Sequence, residues 1–274
     1  VRLIAGMKVY DDPRMIRATL RVAVQVADEV WVGVSDKPWR GEKTDNSLTL
    51  EYVSRLMEKY SNIRMFQGSW DVEEDHINAI IGRICDHEIE GGRDPFAGDT
   101  FYWYLDADET FHVHELQLVK ERILSQPEAV DYYNCSMVSY IKHGNWVVDP
   151  PEPAHPGVFF KLKPGFRIVN IRSCDLNPQG IRTLPPSMLV MHHVSYVGTD
   201  DEIYRKITSF THSHQISRGW FEDVYLPLTP ETAHDFHPTH PECWKRLKRI
   251  DTKQLPKEVL EHPEDLLFEE VSVQ

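Results

Sequence analysis

The sequence predicts an α/β protein, and three observations carry that expectation. Short apolar runs alternate with helical patterns through the N-terminal half. One of those runs, Thr100 to Leu105, is rich in aromatic residues and ends in a cluster of acids. At 274 residues, the chain is long enough to bury a full core without disulfide or metal staples. Its composition, 41% hydrophobic and 27% charged, is that of an ordinary globular chain. No apolar run approaches the ~20 residues of a membrane span, so none is expected.

Each element follows from local pattern. Leu3-Ile4-Ala5-Gly6 reads as a buried strand ending near Lys8-Val9-Tyr10. Asp11-Asp12-Pro13 then predicts a helix start, with Asp as cap and Pro in the first turn, and Ile16, Leu20, Ala23, Val24 and Ala27 recur at helical spacing. Val30 to Val34 is a second strand stopping at Ser35-Asp36, and a polar loop leads to a helix carrying Leu48, Tyr52, Val53, Leu56 and Tyr60. Ile63 to Phe66 is a short strand, and Glu73 to Ile89 a helix closed by Gly91-Gly92. Thr100 to Leu105 is the most strand-like segment of the chain. Beyond it come a helix (Val113 to Leu124) and strands around Tyr132–Ile141, Val158–Leu162, Phe166–Ile171 and Met188–Ser195, joined by proline-rich connections. A helix capped at Thr199 follows from Asp200 to about His214, and Lys245 to Arg249 reads as a solvated helix face.

The chemistry is concentrated in Leu105-Asp106-Ala107-Asp108-Glu109. Carboxylates one residue apart at the end of a buried strand sit where α/β sheets bind ligands. Desolvating neighbouring carboxylates is costly, so such a pair calls for a cation. Hard oxygen donors suit Mg²⁺ or Mn²⁺, ions that also take diphosphate oxygens from a substrate. A solvated, inert acidic turn is the bland alternative, and the apolar strand in front of the motif weighs against it.

Taken in order, the motifs resemble a family-2-type glycosyltransferase. An acidic pair follows the first strand (Asp11-Asp12), and Asp36 ends the second. Trp70 to Asn78, with Asp75 and Asn78, resembles the family's W…D-x-x-N stretch, and Tyr104 to Glu109 resembles its metal motif. Met191-His192-His193-Val194-Ser195-Tyr196 resembles the late H-x-G/S-Y element. The resemblance covers about residues 1–215 and departs from the pattern at Asp11-Asp12, where Asn-Glu is usual, and at His76-Ile77, where a basic residue is usual. It implies a GT-A-type fold: a Rossmann-like mixed sheet flanked by helices, with a C-terminal acceptor-side extension. Residues 1–112 would form the donor-binding half and 113–225 the acceptor-binding half of one domain, with 226–274 a Pro/His/acid-rich wrapping tail.

The same resemblance implies a metal-dependent, inverting transfer of a sugar from a UDP- or GDP-sugar to a carbohydrate or other hydroxyl acceptor. Asp11, Asp36, Asp75, Asn78 and Asp106 would contact the donor. Asp106 and Asp108 would hold Mn²⁺ or Mg²⁺ with a late histidine. Of His192 and His193 only one can point inward from a strand, and His193 is in register with the motif. A carboxylate base is placed between the acidic motif and that histidine, where Asp131, Asp149, Glu152 and Asp175 are available; Asp175 is favoured and Asp149 is next.

Other assignments compete. Asp106 to Thr110 also fits the D-x-D-x-T of haloacid-dehalogenase-type phosphatases, although no G-D-x-x-x-D follows. A nucleotidyltransferase would use the same acids but lacks its Gly-rich loop, and a non-catalytic sugar-nucleotide-binding module is a further possibility. His234, His237, His240 and Cys243 have a superficial zinc spacing interrupted by Pro238 and Pro241. His212 to His214 reads as helix-end surface, and Trp103, Trp146 and Trp220 are expected mainly in the core. With 30 Lys+Arg against 43 Asp+Glu, the net charge of −13 disfavours nucleic acid as a partner. Four scattered cysteines without a C-x-x-C suggest reduced thiols and a cytoplasmic setting, and no leader pattern follows Val1.

Overall fold

The structure is a computed structural model that describes residues 1–126, 128–170, 172–175 and 178–261. Its first half runs β1 (Arg2–Val9), α1 (Ile16–Val26), β2 (Glu29–Ser35), α2 (Ser47–Lys59), β3 (Ile63–Gly68), α3 (Glu73–Glu90) and β4 (Thr100–Asp106). There follow β5 (Glu109–Thr110), α4 (Val113–Val119), β6 (Tyr132–Asp149), β7 (Gly157–Lys161), β8 (Ile168–Val169), β9 (Ser173–Cys174) and β10 (Ile181–Leu184). The chain ends with β11 (Val190–Val197), α5 (Asp200–Ser209), β12 (Arg246–Arg249) and α6 (Lys257–Leu260). Among the described residues, no helix is long and apolar enough to cross a membrane.

A mixed sheet in the order β3-β2-β1-β4-β7-β6-β11-β5 forms the centre. Its first four strands are parallel, and β7 joins β4 and β6 antiparallel. β1 and β4 are buried along nearly their whole lengths, as central parallel strands covered on both faces must be. Side chains alternate between those faces. Leu3, Ala5, Met7, Phe101, Trp103 and Leu105 pack with α1, α2 and α4, while Ile4, Tyr102 and Tyr104 pack with α3. The same alternation puts Lys8 and Asp106, which are partners in register, on the α3 side at the strand ends.

Close approach of α3 requires glycine in the strands beneath it. A Cβ on Gly33 would lie 2.8 Å from His76 Nε2 and 2.9 Å from Ile80, and one on Gly6 would lie 2.4 Å from Tyr102. His76 is fully buried against Trp70, stacked at 3.9 Å, with Nε2 3.0 Å from the Gly33 carbonyl oxygen.

Several expectations are corrected. α1 starts at Ile16, three residues late, because Asp12-Pro13 is spent on a turn in which Asp12 accepts the Met15 amide. Lys245 to Arg249 is no helix face: Arg246–Arg249 pairs antiparallel with the far end of β6, with Leu247 buried and its basic neighbours outward, a period-two pattern. β6 extends to Asp149, well past Ile141, because it changes partners along its length. α5 stops at Ser209, while its start is as expected, a capping box of Thr199 and Glu202. Trp103, Trp146 and Trp220 are core residues. Ile171 and residues 262–274 of the tail lie outside the described residues.

Candidate active site

The strand order turns back between β1 and β4: β2 and β3 lie to one side of β1, and β4 to the other. Such a switch point leaves a crevice at the C-terminal strand ends. Here it opens on a cavity of about 430 Å³, within the size range of small-molecule sites. Asp106, Asp108 and Glu109 line it, with Lys8, Asp11 and Asp12 from the end of β1 and His193 and Tyr196 from β11. Arg172, Arg205 and Lys206 also face it, as do Trp39, Phe210 and His212. His212 therefore belongs to the cavity wall rather than to a helix-end surface.

On one side, Asp106 is clasped by two cations. Lys8 Nζ contacts Oδ1, and Arg172 donates to Oδ2 at 2.8 Å. Lys8 also meets Glu73 at 2.9 Å and lies over the Tyr104 ring, 4.9 Å from its centroid. Arg172 also donates to the Gly157 carbonyl at 2.8 Å, pairs with Glu109 and stacks over Tyr104 at 4.2 Å. Burial pushes the Asp106 carboxyl up, but Lys8 and Arg172 outweigh it and hold the group below the usual carboxylate range. Glu109, fully buried and beside Asp106, is pushed up instead, chiefly by desolvation.

Asp108 has a different set of partners. Lys206 Nζ lies 2.5 Å from its Oδ2, and Ser195 donates a further side-chain hydrogen bond. Burial opposes ionisation, yet Lys206 and then His193 draw the carboxyl far below its usual range. The same ammonium is 3.9 Å from Asp12, whose carboxyl burial pushes up to about 6 despite that cation, with Asp108 adding to the rise. β11 brings His193 opposite Glu109, and the Val194 amide donates to the Asp108 carbonyl at 3.0 Å. His193 Nδ1 is buried without a hydrogen-bond partner.

Two protein ligands, one a carboxylate, would fit a divalent ion that completes its shell with other oxygen donors. Mg²⁺ and Mn²⁺ are commonly held by one or two carboxylates plus substrate phosphates rather than by an all-protein cage. Asp108 and the orphaned His193 nitrogen are the groups available. Lys206 stands in as the cation their acidic surroundings require. Among the described residues, only Glu29, His87 and Glu88 gather three ligand atoms within 4.8 Å of one another. Arg2, Arg64 and Arg93 already pair with those two acids, leaving no negative charge there for a metal.

The remaining residues singled out in the sequence lie elsewhere. Asp175 is exposed beside the β8–β9 hairpin, where it accepts the Arg167 amide at 3.0 Å; the hairpin carries Arg172, not Asp175, to the acidic motif. Asp149 ends β6 in ion pairs with Arg246 and Lys248 on β12, at 3.3 and 3.2 Å. Asn78 clasps the Ile168 backbone in both directions, and with Asp75 it lines a separate groove beside Lys163 and Arg167. Asp36 is exposed at the end of β2, engaged by the Ser69 hydroxyl. Asp131 pairs with Lys163 at 2.5 Å, and Glu152 accepts from Ser139 at 2.6 Å. His192 faces away from the cavity: its Nδ1 meets the Tyr140 hydroxyl at 2.8 Å, and its ring abuts His112. A one-residue step along a strand reverses direction, so only His193 reaches the acids.

Lys8, Arg172 and Lys206 are the site residues that sequence reasoning passed over. Lys8 carried a signal, a lone charge ending an apolar run. Arg172 and Lys206 carried none, since their role depends on how distant segments meet.

The two buried histidines make stability depend on pH. Desolvation pushes both His76 and His192 down to about 3, so both are neutral in the fold. Above pH ~6.5, the unfolded chain leaves them neutral too and stability is full. Below it, the unfolded chain takes up protons that the folded one refuses, so stability falls as pH drops from ~6.5 toward 3. Each histidine is expected to add about 1.4 kcal/mol per pH unit to that fall. Urea titrations between pH 7 and 4.5 check this: His76→Gln should remove that share of the slope, and an unchanged slope would refute it.

No protein-family model and no curated protein sequence matches the chain. Among solved structures, it is similar to S. aureus TarS residues 1–349, at 12% identity and a TM-score of 0.41, over 84% of this chain and 77% of that one. A second TarS crystal structure is similar at 14% identity and a TM-score of 0.42, over 76% of this chain; the match spans 38% of that longer chain.

Proposed function

We propose that the chain is a glycosyltransferase of GT-A type, moving a sugar from a nucleoside-diphosphate sugar to a hydroxyl acceptor with Mn²⁺ or Mg²⁺ at the D-A-D-E motif. The observation that carries this reading is the placement of Asp106, Asp108 and Glu109 at the β1/β4 switch point, facing a cavity with fixed cations on one wall and His193 on the other. UDP- and GDP-sugars are the donors of first choice.

In this reading, Lys8 and Arg172 form an immobile wall of donors, each charge-paired and pinned by Asp106, Glu73, Glu109 and Tyr104. A diphosphate entering the cavity meets charges that need no reorganisation as the sugar leaves. Asp108 and His193 are the residues that would hold the metal, which supplies Lewis-acid stabilisation of the leaving diphosphate. Trp39 and Phe210 offer flat apolar faces for the base or the sugar. The attacking hydroxyl must lose its proton to a carboxylate within hydrogen-bond reach, and inversion places that carboxylate opposite the leaving group. Asp11 lines the cavity and takes that role in place of Asp175 and Asp149, which do not reach it.

Incubating the chain with Mn²⁺ and a panel of sugar nucleotides, with and without EDTA, tests the reading. Metal-dependent nucleotide release from one donor is expected even without acceptor. Failure to bind or turn over any sugar nucleotide, with hydrolysis of a generic phosphate ester, would replace it with the phosphatase alternative.

A further inference from the structure

The three cations around the acidic motif differ in freedom. The Lys8 and Arg172 side chains are 4% and 11% exposed, each held by several partners. Lys206 is 30% exposed, sits on a helix at the cavity rim, and has one close partner, Asp108. Its other acid, Asp12, waits at 3.9 Å. Asp106 thus has its two oxygens committed to fixed cations, whereas Asp108 is held by the Ser195 hydroxyl and by one close ammonium on a flexible stem.

We propose that Lys206 is a displaceable internal counter-ion, holding Asp108 while donor is absent and yielding it to the divalent ion when the diphosphate arrives. This rests on the transferase reading and deepens it. An ammonium and a divalent cation cannot share one carboxylate without strong mutual repulsion. The ion therefore binds weakly alone, and tightly only once donor phosphate supplies further ligands. Lys206 does not become an unpaired charge on release, because Asp12 lies within a short swing and the incoming diphosphate shares the cavity. The arrangement makes Asp108 the metal ligand of the motif and Asp106 the clamp that positions Lys8 and Arg172.

Mn²⁺ binding, followed by the electron paramagnetic resonance of the free ion, tests this without reference to turnover. Wild type is expected to bind Mn²⁺ weakly alone and more tightly with UDP or GDP present. Lys206→Met keeps the stem and removes the charge, and should tighten nucleotide-free binding by about tenfold, a modest share of what one unit charge exerts at this range. Lys206→Arg, which keeps the charge, should leave it weak. A misfolded variant would not gain affinity, so tightening cannot come from structural damage. Unchanged or weaker binding by Lys206→Met, or tight binding by wild type without nucleotide, overturns the proposal. If wild type binds neither nucleotide in Mn²⁺, nor any other nucleoside diphosphate of a panel, the transferase reading fails. The Lys206→Met comparison on Mn²⁺ alone then still decides whether Lys206 holds Asp108 against the ion: tightening upholds that and no change refutes it.

Discussion

On the proposed transferase reading, Asp108→Asn is expected to reduce sugar-nucleotide turnover roughly 10³-fold while leaving the fold intact. A metal at a phosphoryl oxygen contributes several kcal/mol of transition-state stabilisation, and each 1.36 kcal/mol is about tenfold in rate. The substitution is nearly isosteric, and the partner it would abandon, Lys206, sits at the rim with Asp12 nearby. Asp106→Asn should behave differently. It withdraws one negative charge from between two buried cations, so it should lower stability as well as activity. Steady-state nucleotide release together with urea unfolding separates the two; equal stability losses would argue that the carboxylates share one role.

Lys8→Met carries the largest expected cost in stability, about 3–5 kcal/mol, the usual penalty for breaking a buried ion pair by removing one partner. The ammonium is almost wholly buried between Glu73 and Asp106. Burial alone would favour its neutral form, but Asp106, Glu73 and Tyr104 raise its pKa well above the ordinary value. Removing it leaves Glu73 with the Thr211 hydroxyl, at 2.8 Å, and Asp106 with Arg172. Adding Glu73→Gln to Lys8→Met should recover part of the loss, because it removes the charge left unpaired. Denaturant midpoints of the two single variants and the double variant measure that coupling; strictly additive losses would mean that the pair does not interact.

Much of the architecture was legible because it rests on period and burial. The apolar runs at Leu3, Val30 and Thr100 had to be central strands, and each lies in the parallel part of the sheet. The acidic motif was visible for the same reason, as hydrophilic chemistry attached to a strand with no exposed face. What stayed hidden depended on contacts across the chain. Asp175 was chosen by its position in the linear order, but Arg172, three residues earlier, is the side chain that the hairpin turns inward. Lys245 to Arg249 was read by composition, and pairing with β6 made it a strand. Asn78 bonds the Ile168 backbone through both atoms of its amide, a long-range contact that its own segment does not announce. The neutralisation of each acid by a particular lysine or arginine is a three-dimensional fact that no local pattern encodes.

β6 has a consequence for how this chain tolerates change in length. One long strand, irregular where its register shifts against β7 and β11, takes β7 and β10 along its first residues, β11 through its middle and β12 at its end. A single-residue deletion within it would reverse the facing of the side chains beyond the lesion and break their register with every partner paired there. Deletions there should abolish expression of folded protein, whereas insertions in the proline-rich connection from Pro150 to Pro156 fall between paired segments and should be accommodated.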